Sequence, residues 1–237
     1  DDYLSKDCLY EVVKCINENP NVEFIYTDED KATEFDAERY EPFFKPDFAR
    51  DTLNTTNYIC HFSVFKKELM DKLKGFRSEF DGAQDFDFVL RLSEATTPDN
   101  IYHIPRILYH WRMIEGSTAA TIDSKGYAVE KGRMAVEDAL KRRGIKAKVT
   151  VHPRVPYYLV RYEYESEPMV SIIIPTKDYA DITEQCLKSL FEKTTYKNYE
   201  VILMNNNSEK KETFELLRQH FYTMKNAAFK IDIVDTL

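Results

Sequence analysis

Residues 169–176 read Met-Val-Ser-Ile-Ile-Ile-Pro-Thr, and this stretch decides the predicted fold. Its continuous apolar run is typical of a strand that is buried in a parallel sheet. Downstream, the residue pattern predicts helices over 182–192 and 209–222 and strands over 200–204 and 229–234. Strands that alternate with helices in this way predict an α/β domain with a parallel sheet.

Polar residues end two of these strands. The first strand runs into Pro175 and Thr176, with Asp178 close behind, and the second runs into Asn205. Ligands of open α/β sheets bind beyond the carboxyl ends of the strands. Asn and Ser are also common in ordinary turns, but two polar strand ends together favour a nucleotide site.

The region upstream has a less regular pattern. A helix is predicted over 5–19, with Ser5 as its N-cap. Its apolar face consists of Leu9, Val12, Val13 and Ile16. Residues 31–56 show no clear period and predict a long loop. The other predicted elements are strands or extended segments over 22–26, 58–65, 101–111 and 146–165, and helices over 67–74, 84–94 and 124–143.

Composition bounds the class of protein. The 237 residues suit one large domain or two small ones, and the net charge of −8 argues against a nucleic-acid partner because a basic footprint is missing. None of the four cysteines forms a Cys-x-x-Cys pair, which predicts reduced thiols in a cytoplasmic protein and no zinc site. No apolar run approaches the length that spans a bilayer.

Carboxylates cluster at two places in the upstream region. Asp1 and Asp2 precede the first helix, and Asp28 and Asp30 flank Glu29 at the end of a predicted strand. Carboxylates at a strand end suit Mg²⁺ or Mn²⁺. For Asp28 to Asp30 a surface or capping role fits equally well. A metal-dependent phosphohydrolase also uses such clusters, but no nucleophile accompanies them here.

Asp85 and His110 are the other candidates for chemistry. Asp85 opens a predicted helix, where an acid either stabilises the helix or serves as a rigid general base. Sequence spacing does not separate these two roles. His110 lies beside Trp111 and Arg112, a setting that suits a metal ligand or a phosphate contact.

As a set, these segments resemble the family 2 glycosyltransferases, which have the GT-A fold, an α/β fold with a mixed, mostly parallel sheet flanked by helices. The resemblance covers nearly the whole chain. The downstream segments resemble the start of such a domain, and they are 170–176, 186–190 and 199–208. The upstream segments resemble its back half, and they are 26–31, 43–47, 82–91, 103–112 and 116–119.

This order resembles tandem bacterial polysaccharide glycosyltransferases, in which one GT-A domain follows another. The resemblance implies that residues 1–118 are the C-terminal half of a GT-A domain with the metal and base motifs. Residues 119–168 would be a helix and an extended linker. Residues 169–237 would be the N-terminal, nucleotide-binding half of a second domain.

The resemblance also implies roles for single residues. Asp1 and Asp2 match the end of the Asp-x-Asp metal motif, which takes Mn²⁺ or Mg²⁺, and His110 matches a position that completes the metal site in some relatives. Asp85 matches the catalytic base. The nucleotide-binding positions are Pro175, Thr176, Asp178 and Asn205. Acceptor-side or supporting positions are Asp28, Asp30, Gln84, Arg91, Trp111 and Arg112.

Two positions depart from the family pattern. Asn205 stands where the family usually has Asp, and Gln84 stands where it often has Glu. The implied activity is inverting transfer of a sugar from a nucleotide diphosphate-sugar to a glycan or lipid-linked acceptor in cell-surface polysaccharide synthesis. The expected location is the cytoplasm, with peripheral association at the inner face of the membrane left open, as is the oligomeric state. The isolated chain is expected to have weak activity or none.

A second interpretation belongs to another class of function. A non-catalytic scaffold or glycan-binding module descended from such an enzyme would also fit the two departures. Metal-dependent nucleotide binding discriminates between the two interpretations.

Overall fold

The structure, a computed structural model, describes residues 2–33, 38–113, 125–155, 157–223 and 231–235. The chain divides into two compact units, Asp1–Glu163 and Tyr164–Leu237. Within the described residues, no helix is both long enough and apolar enough to cross a membrane. The predicted Gly-Ser-Thr-Ala tail at 116–119 lies outside the described residues.

The first unit combines a mixed sheet with helices and a hairpin. Its elements are, in chain order, β1 (Tyr3–Leu4), α1 (Cys8–Glu18), β2 (Phe24–Ala32), β3 (Arg39–Phe43), α2 (Arg50–Leu53), β4 (Ser63–Phe65), α3 (Lys67–Leu73), α4 (Gln84–Ala95), β5 (Ile101–Arg112), α5 (Lys125–Arg142), β6 (Ala147–Val151) and β7 (Tyr158–Tyr162). Short 3₁₀ turns lie at Ser78–Phe80 and Pro98–Asn100. β6 and β7 pair with each other as an antiparallel hairpin.

Strand β2 is the centre of the five-stranded sheet, whose order is β1-β5-β2-β3 with β4 also paired to β2. β2 pairs parallel with β5 and antiparallel with β3 and β4. Its side chains are almost all buried, including the charged ones at 28–30. The sheet therefore brings a polar strand into the interior of the unit.

The predicted long loop over 31–56 is wrong. β2 continues to Ala32, β3 returns beside it, and α2 follows. Residues 27–31 read Thr-Asp-Glu-Asp-Lys, a composition that hides a strand because hydrophobic periodicity is the main sequence signal. These acids can be buried because each one contacts a basic side chain, as described below.

Helix α1 buries only part of its predicted apolar face. The buried residues are Val12 of that face and Cys8 and Cys15, whose spacing places the two thiols on one side of the helix, as expected for core thiols. Leu9, Val13 and Ile16 are exposed to 68%, 55% and 44%. Ser5 is not the N-cap, because the helix begins at Cys8 and Ser5 Oγ bonds to strand β5 instead.

Helix α5 and the β6–β7 hairpin belong to the core of the first unit. Ala135, Val136 and Leu140 from α5 share one buried cluster with residues of α4 and β2, and Tyr158 of β7 joins it. Residues 125–155 and 157–163 of the segment expected as a linker thus belong to the first unit. Tyr158 also donates a hydrogen bond of 3.1 Å from its hydroxyl to the Val129 carbonyl.

We expect Gly132→Ala to destabilise the first unit by about 1–3 kcal/mol, the usual cost of overpacking a core. A Cβ at this position of α5 would lie 2.0 Å from the Tyr158 hydroxyl oxygen and 2.9 Å from its ring. Gly126→Ala in the same helix is the matched control, since its Cβ meets nothing within 4 Å. Urea unfolding followed by fluorescence of the single Trp measures both variants. Equal midpoints for the two variants would contradict this packing.

The second unit has the predicted β-α-β-α-β order. Its elements are β8 (Val170–Thr176), α6 (Ala180–Lys193), β9 (Tyr199–Asn205), α7 (Lys211–Thr223) and β10 (Ile231–Asp235). The strands form a three-stranded parallel sheet of order β10-β9-β8. This confirms the strand and helix prediction to within a few residues at each boundary.

One face of this sheet carries the core of the second unit. Val201 and Leu203 are buried there with Leu187 of α6, and Ile172 and Ile174 pack against them. Ile173, on the opposite face, is 58% exposed. The expectation that the whole apolar run of β8 is buried is therefore wrong for this unit. β8 pairs with β9, and β2 pairs with β3, β4 and β5, so these strands belong to different sheets.

Candidate functional site

Asp85 lies in the first turn of α4 with its carboxylate exposed. The Asn57 side-chain amide donates a hydrogen bond of 3.1 Å from Nδ2 to Asp85 Oδ2. Among the residues that the structure describes, no basic side chain forms a salt bridge with Asp85. The adjacent Gln84 accepts a hydrogen bond of 2.8 Å from the Gly82 amide through its Oε1, so it shapes the turn that presents Asp85.

Arg91, a predicted supporting residue, is buried one turn further along α4. Its Nε donates to Asp87 Oδ2 at 2.9 Å, and its two terminal nitrogens donate to the carbonyls of Leu73 and Gly75 at 3.0 and 2.8 Å. Arg77 also bonds to Asp87 through Nε at 3.2 Å. The described hydrogen bonds of Arg91 thus all go to residues of the first unit itself. Asp87 belongs to the segment 82–91 that resembles the family, and its spacing of four residues from Arg91 is a typical helix ion-pair signal.

The acids at the end of β2 are held in buried pairs. Asp28 Oδ1 lies 2.8 Å from His103 Nε2 and also accepts a 2.8 Å hydrogen bond from the Lys45 amide. Asp30 Oδ1 lies 2.5 Å from His110 Nδ1 and 3.7 Å from the guanidinium of Arg39. These contacts favour a structural role for both acids.

His110 uses both of its ring nitrogens within the first unit. Nδ1 contacts Asp30, and Nε2 lies 2.8 Å from Ser5 Oγ. Tyr3 of β1 lies opposite His110 in the sheet register, which places Asp2 beside the same end of β5. The structure therefore places Asp2, which precedes β1, beside the end of the strand that carries His110.

Asp2 is bonded to two groups of β5. The Tyr109 hydroxyl donates to Asp2 Oδ2, and the Arg112 amide donates to Oδ1 at 2.9 Å. The Arg112 guanidinium lies over the ring of Tyr3, 5.1 Å from the centroid. Asp1 lies outside the described residues.

The described residues do not fit a preformed divalent metal site. Across 2–33, 38–113, 125–155, 157–223 and 231–235, no three His, Cys, Asp or Glu side chains converge as a metal would require. Asp2 is held by Tyr109 and Arg112, and His110 is held by Asp30 and Ser5. A divalent metal would have to displace these contacts before Asp2 or His110 could bind it.

Lys45 anchors the segment that lies between α2 and β4. Its ammonium is fully buried and donates to Glu29 Oε2 at 3.0 Å, to the Ile59 carbonyl at 2.7 Å and to the His61 carbonyl. Burial lowers the pKa of Lys45, and the charge of Glu29 opposes that shift. Burial raises the pKa of Glu29, but the hydrogen bond with His61 and the charge of Lys45 outweigh it, and that pKa lies below its usual value.

Cys60 and His61 lie within this segment. Burial, reinforced by the charge of Glu29, raises the pKa of the Cys60 thiol to about 12, so the thiol is protonated at neutral pH and does not serve as a nucleophile. The His61 ring stacks on Tyr109 with centroids 4.8 Å apart and lies 5.7 Å from Trp111. Trp111 is therefore part of an aromatic cluster on β5.

In the second unit the two polar strand ends lie side by side, because Thr176 of β8 is opposite Asn205 of β9. Both side chains are buried. Thr176 Oγ1 lies 2.9 Å from Thr183 Oγ1, and Asn205 Oδ1 accepts a 3.1 Å hydrogen bond from the Ser208 amide. Pro175 lies opposite Met204 and is exposed.

Asp178 joins these strand ends to the start of α7. Its Oδ1 accepts hydrogen bonds from the amides of Glu209 and Lys210 at 3.0 and 2.8 Å. These backbone donors, chiefly the Lys210 amide, lower the pKa of Asp178, so the carboxylate is ionised at neutral pH. The Asp178 amide donates to Ser208 Oγ at 2.9 Å. Ser208, which was not a predicted site residue, is thus part of the cluster.

Comparisons with known proteins agree with this architecture. Residues 171–229 match the family described as Glycosyl transferase family 2. The chain is 40% identical to an uncharacterized protein of Sinorhizobium fredii and 42% identical to the O-antigen biosynthesis protein RfbC of Myxococcus xanthus, in both cases over 92% of this chain. It is 26% identical to the hyaluronan synthase of Pasteurella multocida over 61% of this chain.

The chain spans only part of each of these relatives: 24% of the Sinorhizobium protein, 17% of RfbC and 14% of the hyaluronan synthase. Residues 171–229 lie within the second unit and include β8 and β9. These residues belong to a glycosyl transferase family 2 domain, and the relatives of the chain include proteins of bacterial polysaccharide biosynthesis.

Proposed function

We propose that this chain is part of an inverting glycosyltransferase of the GT-A fold, which moves a sugar from a nucleotide diphosphate-sugar to a glycan or lipid-linked acceptor. The family match at 171–229 and the relationship to an O-antigen biosynthesis protein support the reaction class and the polysaccharide setting. Residues 1–118 would supply the base from one GT-A domain, and residues 169–237 would supply the nucleotide-binding half of the next.

The exposure and the contacts of the Asp85 carboxylate are the observation that supports its role as the catalytic base. The buried acids Asp28, Asp30 and Asp87 are paired with basic side chains, whereas Asp85 is exposed and receives one amide hydrogen bond. A general base must be within reach of the acceptor hydroxyl, so it cannot be buried in an ion pair. Among the described carboxylates at the predicted sites of the first unit, Asp85 meets that geometric requirement best.

The reaction assigned to Asp85 is a single displacement. Asp85 accepts the proton of the acceptor hydroxyl while the hydroxyl oxygen forms a bond to the anomeric carbon of the donor. The bond from that carbon to the diphosphate breaks on the opposite face, and the nucleoside diphosphate leaves with the electron pair. One displacement from the opposite face inverts the anomeric centre. The family commonly uses a divalent metal at the diphosphate, and no step here depends on it.

Nucleotide binding is assigned to the strand ends of the second unit. Thr176 and Asn205 lie side by side at the carboxyl edge of a parallel sheet, which is where α/β folds bind ligands. Asp178 supports this edge by holding the start of α7. We interpret Thr176 and Asn205 as contacts to the base or ribose.

Asn205→Ala is expected to weaken binding of a nucleoside diphosphate about tenfold, since loss of one buried hydrogen-bonding group costs about 1–1.5 kcal/mol. Isothermal titration calorimetry of the full chain with uridine and thymidine diphosphates, with and without Mn²⁺, measures the affinity. Ser171→Ala is the control, because Ser171 is exposed at the other end of β8 and its hydroxyl bonds to Glu200. No binding of either nucleotide under any of these conditions would contradict the nucleotide site.

A further inference from the structure

We propose that Asn57 is a positioning residue for the base Asp85: its side-chain amide fixes the carboxylate in the orientation that receives the acceptor proton. The inference rests on the proposed function, in which Asp85 is the base. Asn57 lies 28 positions before Asp85 in the chain, in the segment between α2 and β4, and no sequence motif singles it out.

Both ends of the Asn57 amide are used. Nδ2 donates to Asp85 Oδ2 at 3.1 Å, and Oδ1 accepts a hydrogen bond of 3.3 Å from the Cys60 amide. The second bond determines which end is the oxygen, because a flipped amide would point its NH₂ group at the Cys60 N–H. The donor therefore faces Asp85, and it engages one of the two carboxylate oxygens.

The segment that carries Asn57 is anchored by buried side chains and by hydrogen bonds to its backbone. Tyr58 and Ile59 are buried, and the Tyr58 hydroxyl accepts a 2.8 Å hydrogen bond from the Ala49 amide. The Lys45 ammonium donates to the carbonyls of Ile59 and His61. A side chain on such a support keeps its place, which is what precise orientation of a catalytic group requires.

An amide suits this role better than a cation. A neutral donor stabilises the ionised carboxylate and fixes its rotation, but it does not add the charge that would quench its proton affinity. Asp87, two residues away, shows the contrast: it accepts hydrogen bonds from the guanidinium groups of Arg77 and Arg91. Asp87 is neutralised and buried, whereas Asp85 is oriented and exposed.

Two variants test this contact together. Asn57→Asp keeps the size of the side chain and the acceptor for Cys60, removes the donor to Asp85 and adds a like charge beside it, whereas Asn57→Ala removes the donor without adding a charge. We expect kcat for sugar transfer by the full-length protein to fall about 10- to 100-fold, in the range of a lost orienting contact, while KM for the nucleotide-sugar changes less than about twofold. Asn57→Ala should lower kcat to a similar degree. Asn100→Asp is the matched control, since Asn100 Nδ2 lies 3.4 Å from the carboxylate of Glu23 in the same unit.

A double-mutant cycle separates positioning from other roles. If Asn57 acts through Asp85, adding Asn57→Asp to Asp85→Asn causes no more than about a twofold further loss of the residual rate. An equal loss in both backgrounds, or a full kcat in Asn57→Asp and Asn57→Ala, overturns the positioning role and leaves the base intact. Full activity of Asp85→Asn alone overturns the proposed base instead. Near-ultraviolet circular dichroism of each variant shows that the fold is retained.

Discussion

Asp85→Asn is expected to reduce sugar transfer by about 10²–10⁴-fold, the usual contribution of a general base. The substitution keeps the shape of the side chain but removes the group that accepts the acceptor proton. Asp85 is exposed and forms no salt bridge with a described basic residue. The stability of the fold therefore does not depend on its charge, and the substitution should lower kcat. The measurement is the rate of product formation by the full-length protein at saturating donor.

The control for this variant is Asp71→Asn. Asp71 is an exposed acid of α3 that pairs with Lys67 at 2.7 Å, and its replacement should leave the rate within about twofold, because surface pairs contribute little. Donor affinity should be unchanged in both variants. A normal rate in Asp85→Asn would rule out Asp85 as the base.

Asp87→Ala is expected to destabilise the first unit by about 3–5 kcal/mol, which is the cost of removing one partner from a buried ion pair. Asp87 is completely buried between Arg77 and Arg91. Its loss leaves Arg91 as an uncompensated buried cation. Arg77 retains Asp138 at 2.7 Å and is partly exposed, so the effect should lie toward the lower end of that range.

Urea unfolding measures this loss with a local probe. Trp111 is the single tryptophan of the chain and lies on β5 of the first unit, so its fluorescence reports that unit. Asp71→Ala serves as the surface control and should shift the midpoint little. If Asp87→Ala unfolds at the same urea concentration as this control, the buried network does not stabilise α4 as described.

The sequence predicts the second unit well and the first unit less well, for a physical reason. β8, β9 and β10 have the apolar runs and polar ends that strand rules recognise. β2 has its large apolar residues only at its start, and Thr-Asp-Glu-Asp-Lys follows them. Local periodicity cannot identify a buried strand of that kind, because what makes it buried is the set of partners that lie elsewhere in the chain.

Helix α1 shows the same limit in another form. Leu9, Val13 and Ile16 have helical spacing and high hydrophobicity, yet the structure buries Cys8 and Cys15 on the adjacent face. Cysteine packs as a small hydrophobic residue, so either the thiol face or the aliphatic face of α1 could pack against the core. The position of the sheet determines which face is buried.

In the candidate site, too, some residues could be predicted from the sequence and others could not. Asp85 was predicted from its place at the start of a helix, and the structure shows it exposed there. Asn57 was not predicted, and Lys45 was noted only as part of the segment 43–47 and not for its buried contacts. The groups that they hold lie 28 and 14 or more positions away. Contacts over such distances in sequence leave no local pattern.

The acid-base pairs along β2 have an evolutionary consequence. Asp28 is matched by His103, Glu29 by Lys45 and Asp30 by His110. A single change at any of these positions leaves a buried polar group without its partner, whereas a matched change at both members can restore the contact. The strand should therefore drift through coupled replacements, and a pairwise mutational scan should find strong epistasis within each pair and near-additivity between pairs that share no contact.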